Sequence, residues 1–388
     1  MKNIALLGST GSIGRQTLEV INSLGSDFKV VALTAGRNDL DLAAQVKRIK
    51  PEFAALADPE AADRLAAAVS DLNIAVESGD EGQLKAATWP GVDIVVMAQV
   101  GFSGFQPLVA ALRAGKTIAL ANKESLVIGG DLLERLGLLD RSKILPVDSE
   151  HSALWQSIGS AKTEEIARIY LTASGGPFYG YSAEQLKQVK PAQALKHPNW
   201  EMGSKITIDS ATMMNKGLEV IEAKWLFGLE LEQIEVIVHR QSIIHSMVEY
   251  IDGSIIAQLG SPDMRAPIQY ALTYPERKHG LVERYNPFDS QLTFEYPDRL
   301  NFPCLDLAFR AAKIGGTMPA VLNGANEKAV EYFLSGDIKF TDIPEVINSV
   351  MTMHSTIRNY SIEDAVAADG WARQIAEEVI AGLTGRMN

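Results

Sequence analysis

Asn3-Ile4-Ala5-Leu6-Leu7-Gly8-Ser9-Thr10-Gly11-Ser12-Ile13-Gly14 is the stretch whose reading decides the fold. The apolar run 4–7 breaks at Gly8, and a stretch with helical spacing follows over 13–24. Glycines let a backbone turn tightly between strand and helix and approach a pyrophosphate, which then sits at the positive end of the helix. The spacing is G-x-x-G-x-x-G, so Thr10 stands where the usual dinucleotide fingerprint has its second glycine. A Gly-rich loop alone is a weak signal, and a plain tight turn is the alternative. Here the loop lies between a strand and a helix at the head of a βαβ series, the context that nucleotide binding requires.

Working outward, apolar strand candidates recur at 30–34, 53–56, 94–97, 117–120 and 144–147. Helical stretches lie between several of them, at 40–49, 61–69 and 107–114. Continuous apolar strands separated by helices predict a parallel sheet covered on both faces. Residues 1–147 are therefore expected to form a doubly wound, Rossmann-like nucleotide-binding domain. At the end of the second strand, where NAD-binding domains usually carry an acidic residue, stand Gly36, Arg37 and Asn38. A guanidinium suits a 2′-phosphate and favours NADP, although a solvated loop cation is an equal reading of Arg37 alone. Ala121-Asn122-Lys123-Glu124-Ser125 falls just after a strand, where open α/β sheets bind their ligands.

The chain of 388 residues is long for one core, so two or three domains are expected. Its hydrophobic content of 46% and charged content of 22% are ordinary for a soluble enzyme. A formal net charge of −12 argues against broad nucleic-acid or anionic-membrane surfaces, but not against an anionic ligand held locally. One cysteine, Cys304, can form neither an intrachain disulfide nor a thiolate metal site. No segment is apolar enough to span a bilayer, and no signal peptide precedes the first strand, so a cytoplasmic location is expected.

The pattern changes at Pro146-Val147-Asp148-Ser149-Glu150-His151-Ser152. Asp148 and Glu150 have the period that shares one face of an extended segment. For this segment alone the favoured reading is a helix N-terminus, with Asp148 or Ser149 capping a helix that begins near Ser152. Mixed α and β structure follows over 148–284. The run 169–172 reads as a strand leading to Ser174-Gly175-Gly176-Pro177, a turn able to present backbone N–H groups to an anion or simply to turn. Lys196-His197-Pro198-Asn199-Trp200-Glu201-Met202-Gly203 resembles a loop that closes over a ligand; a loop whose Trp200 simply packs on the surface is the alternative. The run 205–209 reads as a strand and 212–227 as a helix. On that helix Asn215, Lys216 and Glu219 can share a face; a solvated face with a weak Lys–Glu pair is the alternative. A hairpin, 245–250 and 254–259, turns about Asp252-Gly253. His239 and His245 lie on strand-like runs and carry no assigned role. Residues 285–304 form a linker, and 305–388 a helical bundle of four segments, 305–314, 319–334, 343–353 and 362–383.

Taken together, Gly8-Ser9-Thr10-Gly11-Ser12-Ile13-Gly14, Ala121-Asn122-Lys123-Glu124-Ser125, Pro146-Val147-Asp148-Ser149-Glu150-His151, Ser174-Gly175-Gly176-Pro177, His197-Pro198-Asn199-Trp200 and Asp209-Ser210-Ala211-Thr212-Met213-Met214-Asn215-Lys216-Gly217 resemble the 1-deoxy-D-xylulose 5-phosphate reductoisomerase family. The resemblance covers essentially the whole chain. It implies isomerisation of 1-deoxy-D-xylulose 5-phosphate and reduction with NADPH to 2-C-methyl-D-erythritol 4-phosphate, a step of non-mevalonate isoprenoid synthesis. It also implies a homodimer. By resemblance, Asp148, Glu150 and Glu219 are ligands of a divalent cation, Mn²⁺ or Mg²⁺, and Lys123 and Ser149 contact the substrate near it. Ser174, Ser210, Asn215 and Lys216 would bind the substrate phosphate, with His197 beside them on a loop spanning 197–203. Thr10, Gly11, Ser12, Ile13, Gly36, Arg37, Asn38, Asn122, Glu124 and Gly203 would contact NADPH.

Three carboxylates without a thiolate or a His cluster suit a hard cation. The rearrangement, by retro-aldol/aldol or ketol shift, needs charge stabilised on oxygen, which a Lewis acid and the Lys123 ammonium can supply. Two other functions compete. An NADP-dependent phosphosugar oxidoreductase without rearrangement would have no use for the three carboxylates. A silent NADP-binding regulator would be free to lose Lys123, Asp148, Glu150 and Glu219, which are all present.

Overall fold

A computed structural model describes residues 1–200, 202–289 and 291–385. Three expectations touch residues beyond these. The 197–203 loop contains Glu201, the 285–304 linker contains Ser290, and the C-terminal bundle ends at 388; Glu201, Ser290 and residues 386–388 lie outside the described residues.

The first sheet consists of β1 (Lys2–Leu7), β2 (Phe28–Ala35), β3 (Phe53–Leu56), β4 (Ala75–Ser78), β5 (Ile94–Met97), β6 (Thr117–Leu120) and β7 (Ile144–Pro146). Their order is β4-β3-β2-β1-β5-β6-β7 and every pairing is parallel. The expected doubly wound α/β architecture is therefore present. Residues Ile4 to Leu7 are fully buried, as are all four of β3, which is why these strands read as unbroken apolar runs. The order reverses between β1 and β5, beside the 8–14 loop, where such sheets bind ligands. The sequence missed β4, an edge strand whose Ala-Val-Glu-Ser buries no residue fully.

The second sheet has the order β11-β10-β8-β9, from β8 (Ile166–Ala173), β9 (Ile234–Val238), β10 (Ile244–Tyr250) and β11 (Ile255–Leu259). β10 and β11 form the expected hairpin about Asp252-Gly253, with Gly253 at φ +84°. Helices Cys304–Ile314, Met318–Ser335, Asp342–Met353 and Ile362–Leu383 match the four C-terminal segments. The segment before them is tied down rather than free: Glu295 bridges Val238, and Phe302 is buried. Burial raises the Cys304 thiol to about 12, so it is no nucleophile at neutral pH.

Two expected elements are corrected. Residues 205–209 are not a strand but lie in the helix Ser204–Ala211. Lys205-Ile206-Thr207-Ile208 alternates like a strand, yet the buried set is Thr207, Ile208, Asp209 and Ala211, a helical spacing, and Thr207 Oγ1 donates to Gly203 O at 2.8 Å. Residues 148–150 are not extended: a helix starts at Ser149, somewhat earlier than the capping alternative placed it.

Compact packing divides the chain differently from its order. One unit comprises Met1–Ser125, Leu136–Ser152 and Asp263–Glu283; the other comprises Leu126–Arg135, Ala153–Pro262 and Arg284–Asn388. The first contains the parallel sheet, the second the mixed sheet and the helical bundle.

Candidate functional site

In the first unit the 8–14 loop is built on close backbone approaches. Gly8 has φ +84°, and a Cβ there would lie 2.6 Å from the Ala98 carbonyl carbon. A Cβ on Gly14 would come within 2.6 Å of Ser9 Cα. Gly8 N and Ser9 N both donate to Thr34 O, at 3.0 and 2.8 Å, and Gln45 Nε2 donates to Ser9 O at 2.9 Å. Gly11 caps the helix Ser12–Leu24 without a side-chain acceptor, so no side chain competes with an anion for its first amides. Gly11 and Ser12 are exposed, Thr10 and Ile13 partly so.

Gly36, Arg37 and Asn38 lie exposed after β2. The Arg37 side chain is 89% accessible and reaches Asp58 only at 3.7 Å, a weak surface pair that leaves the guanidinium free to meet a ligand. Asn38 caps the helix Asp39–Ile49, accepting from Asp41 N at 3.1 Å. Asn122, just past β6, is buried, and its Nδ2 donates to Gln99 O, Gly101 O and Glu124 Oε2 at 3.0–3.1 Å. Its side chain, together with that of Glu124, thus braces the loops it sits among.

Lys123 begins the helix Lys123–Arg135 and is only 4% exposed. Its Nζ lies 2.5 Å from Asp148 Oδ2, because a buried ammonium demands an anionic partner. Asp148 stands at the cap of the helix Ser149–Ile158: its carbonyl accepts from Ser152 N at 2.8 Å and its Oδ1 from Ser149 N at 3.0 Å. Ser149 Oγ donates to Glu150 Oε2 at 2.5 Å. Of the two sequence readings the helix cap holds and the extended segment does not; the capping segment nevertheless carries the carboxylates of Asp148 and Glu150.

In the second unit the helix Met214–Phe227 starts later than expected because Met213 is left-handed, at φ +64°. Glu219 is fully buried and Lys216 is 4% exposed, which removes the solvated-face alternative. Lys216 Nζ pairs with Glu219 Oε2, and Asn215 Nδ2 donates to Glu219 Oε1 at 2.5 Å. One turn of helix thus holds a desolvated carboxylate between a cation and an amide.

A second cluster surrounds His197. Its Nε2 lies 3.0 Å from Ser174 Oγ and 3.1 Å from Ser210 Oγ. Its Nδ1 accepts from Asn199 N at 3.2 Å and Trp200 N at 3.0 Å. Two donors on Nδ1 leave the proton of the neutral ring on Nε2, so the ring donates toward the serines. The Ser174-Gly175-Gly176 turn uses two left-handed glycines, φ +76° and +69°, and a Cβ on Gly176 would lie 2.8 Å from Ser210 O. Arg240 Nη1 donates to Ser174 O and Gly176 O at 2.9 and 3.0 Å, and so shapes this turn. Arg240 was not singled out in the sequence, since its partners lie more than 60 residues away and no local pattern announces them. His239 is structural: Nδ1 lies 2.9 Å from Thr293 O, and Nε2 accepts from Ile243 N and Ile244 N at 3.2 and 3.1 Å.

Known families match these features along most of the chain. The 1-deoxy-D-xylulose 5-phosphate reductoisomerase model matches residues 4–130, and two models of its C-terminal domains match 144–227 and 259–375. A reductoisomerase of Pelotomaculum thermopropionicum is 54% identical over 99% of this chain and all of its own length. One from Trichlorobacter lovleyi is 52% identical over the full length of both. Among solved structures, the Zymomonas mobilis reductoisomerase in complex with NADPH has a TM-score of 0.89 at 43% identity, over 98% of this chain and 99% of its own. A reductoisomerase in complex with NADPH, fosmidomycin and magnesium gives a TM-score of 0.92 at 40% identity, with 99% of each chain covered. With each motif located in the structure and relatives matching end to end, the chain belongs to the 1-deoxy-D-xylulose 5-phosphate reductoisomerase family.

Proposed function

As an NADPH- and metal-dependent oxidoreductase of this family, the chain converts 1-deoxy-D-xylulose 5-phosphate to 2-C-methyl-D-erythritol 4-phosphate, and we propose which of its residues do so. Residues 1–147 bind the cofactor, 148–284 carry the substrate and metal residues, 285–304 link, and 305–388 support. Thr10 to Ile13 hold the pyrophosphate of NADPH at the helix terminus, Gly36 to Asn38 its 2′-phosphate end, and Asn122, Glu124 and Gly203 complete the contacts. The glycine approaches at 8 and 14 support this, since they make a cradle that a Cβ would fill.

Asp148, Glu150 and Glu219 hold the divalent cation. The donor set fits one: all ligand atoms are carboxylate oxygens, which suit a hard divalent cation. When bound, the cation supplies Lewis-acid polarisation of the substrate carbonyl. Lys123, held beside Asp148, stabilises negative charge on the substrate oxygen as the carbon skeleton rearranges, and Ser149 orients the substrate. Ser174, His197, Ser210, Asn215 and Lys216 bind the phosphate. The observation that carries this assignment is the Ser174–His197–Ser210 chain, in which the ring proton points at two hydroxyls that can turn toward an anion. The 197–203 loop then excludes water from the reacting aldehyde.

Product analysis with 1-deoxy-D-xylulose 5-phosphate and NADPH, with and without chelator, tests this reading. Methylerythritol phosphate should form only with Mn²⁺ or Mg²⁺ present. NADPH oxidation that survives full chelation overturns the metal assignment. We place the reaction in the cytoplasm, where NADPH and a reducing milieu suit a chain with one buried thiol; cell fractionation checks it.

A homodimer is proposed from the β11 edge. Ile255, Ile256 and Leu259 of this outermost strand are 53%, 48% and 43% exposed. An apolar edge with open backbone groups invites pairing with a second copy. Light scattering should give twice the chain mass, and Ile256→Lys should lower it; a monomeric wild type sinks the idea.

A further inference from the structure

The Ser204–Ala211 helix carries Ser210 but has little to hold it in place by itself. It is eight residues long, its cap residue Gly203 offers no side chain, and it ends against the left-handed Met213. So short a helix depends on tertiary anchors. Its anchor is Asp209, 1% exposed, both of whose carboxylate oxygens are engaged. Lys205 Nζ meets Oδ2 at 2.8 Å, and Asn326 Nδ2 donates to Oδ1 at 2.8 Å. Asn326 belongs to the helix Met318–Ser335, is fully buried, and lies 117 residues further along the chain.

The Asn326 helix is itself fixed by partly buried polar contacts. Asn323 Nδ2 donates to Glu327 Oε1 at 2.9 Å, and Arg373 bridges Glu327 and Asp369 at 2.6 and 2.5 Å. Asp369 and Arg373 lie on the helix Ile362–Leu383, so two long helices are locked together in rotation before Asn326 reaches Asp209. From there the path is short. Asp209 is the neighbour of Ser210, whose hydroxyl lies 3.1 Å from His197 Nε2.

We infer that Asn326 is a positioning residue: through the Asp209 carboxylate, the C-terminal bundle sets the placement of Ser210 and with it the phosphate end of the site. This rests on the phosphate role proposed above for Ser210. A buried asparagine that merely stabilises the bundle is the rival explanation, and it predicts a loss of stability without a selective loss of phosphate affinity.

The test compares Asn326→Asp, Asp209→Asn, their double exchange and Ser210→Ala. For each, KM for the phosphosugar, KM for NADPH, the competitive Ki of inorganic phosphate, and Tm are measured in the full-length enzyme. Asn326→Asp sets two carboxylates at hydrogen-bond distance with the single Lys205 ammonium beside them, so the pair is relieved by sharing a proton or by parting. It should raise the sugar KM and the phosphate Ki together by about tenfold, with NADPH KM unchanged, since displacements of an ångström are felt strongly in a preorganised site. The double exchange restores one amide and one carboxylate across the contact and should recover much of both constants. It also serves should Asn326→Asp fail to fold, because it can then be compared directly with Asp209→Asn. If Asn326→Asp lowers Tm but moves neither constant, or if the double exchange is no better than Asp209→Asn, the inference is overturned. If Ser210→Ala leaves the phosphate Ki unchanged, it is the proposed phosphate site that fails.

Discussion

The 8–14 loop and the Ser204-to-Glu219 stretch are both assigned to a phosphate-bearing ligand, and they are built in opposite ways. In the loop the groups proposed to hold the ligand are backbone amides, and the side chains that matter are those that are missing. Gly8 and Gly14 let two turns of chain touch, and no side chain caps the helix that follows. In the second stretch the backbone is ordinary helix apart from Met213, and the working groups are side chains taken out of water: Glu219, Lys216, Asp209. A backbone site is sensitive at its glycines, where any substitution adds atoms. A buried side-chain site is sensitive to the loss of a single charge, because each member compensates another.

The largest effect expected from this contrast is at Glu219. Glu219→Gln keeps the shape but removes a formal charge, and its single amide oxygen can accept from Lys216 or from Asn215, not from both. Turnover should fall about a thousandfold, the scale of losing one electrostatic contact in a preorganised site. NADPH affinity, measured by fluorescence titration, should stay at the wild-type value, as the cofactor cradle shares no group with this carboxylate. Loss of NADPH binding instead would make Glu219 a structural residue and blur the distinction between the two stretches.

Gly14→Ala probes the other side. The added methyl would press on Ser9 Cα, at 2.6 Å, with only backbone to give way. Overpacking of this kind costs about 2–3 kcal/mol. Where the loop moves to relieve it and the cradle loses its geometry, NADPH KM should rise, by up to about a hundredfold if the whole cost falls on binding. The sugar KM should be unaffected at saturating cofactor. An unchanged NADPH KM would mean that the loop is only a turn.

The same contrast accounts for what could be seen in the sequence. The parallel sheet was legible because buried strands such as β3 are apolar at every position, a signal carried by adjacent residues. Gly8, Gly11 and Gly14 were legible for the same reason: their meaning is local. β4 was not, since an edge strand with one small apolar face leaves no run to find. The Ser204–Ala211 helix was misread because local alternation favoured a strand, while the groups that decide it, Asp209 and Asn326, meet across 117 residues. Asn215, Lys216 and Glu219 were placed on one helix face from their spacing, but nothing in that spacing reveals whether the face is wet or dry. Burial settles that: the Lys216–Glu219 pair is desolvated, which turns an interaction worth tenths of a kcal/mol on a surface into one whose disruption is severe.

Arg37 combines both modes and should give the smallest effect. It sits in the backbone-built cofactor region, yet it acts through a charged side chain, and that side chain is 89% accessible. Its pair with Asp58, at 3.7 Å, contributes little to stability, so Arg37→Ala should leave Tm where it is. What it would remove is the charge-assisted contact to the 2′-phosphate proposed for Arg37, worth about 1.5 kcal/mol when solvent screens it. That corresponds to about a tenfold rise in KM for NADPH. NADH has no 2′-phosphate, so its KM should not change. Arg37→Lys should stay close to wild type, because an ammonium supplies the same charge without the fork. An equal rise for both cofactors would show that Arg37 shapes the loop instead of reading the phosphate. No change for either would return it to the solvated cation that its sequence context equally allowed.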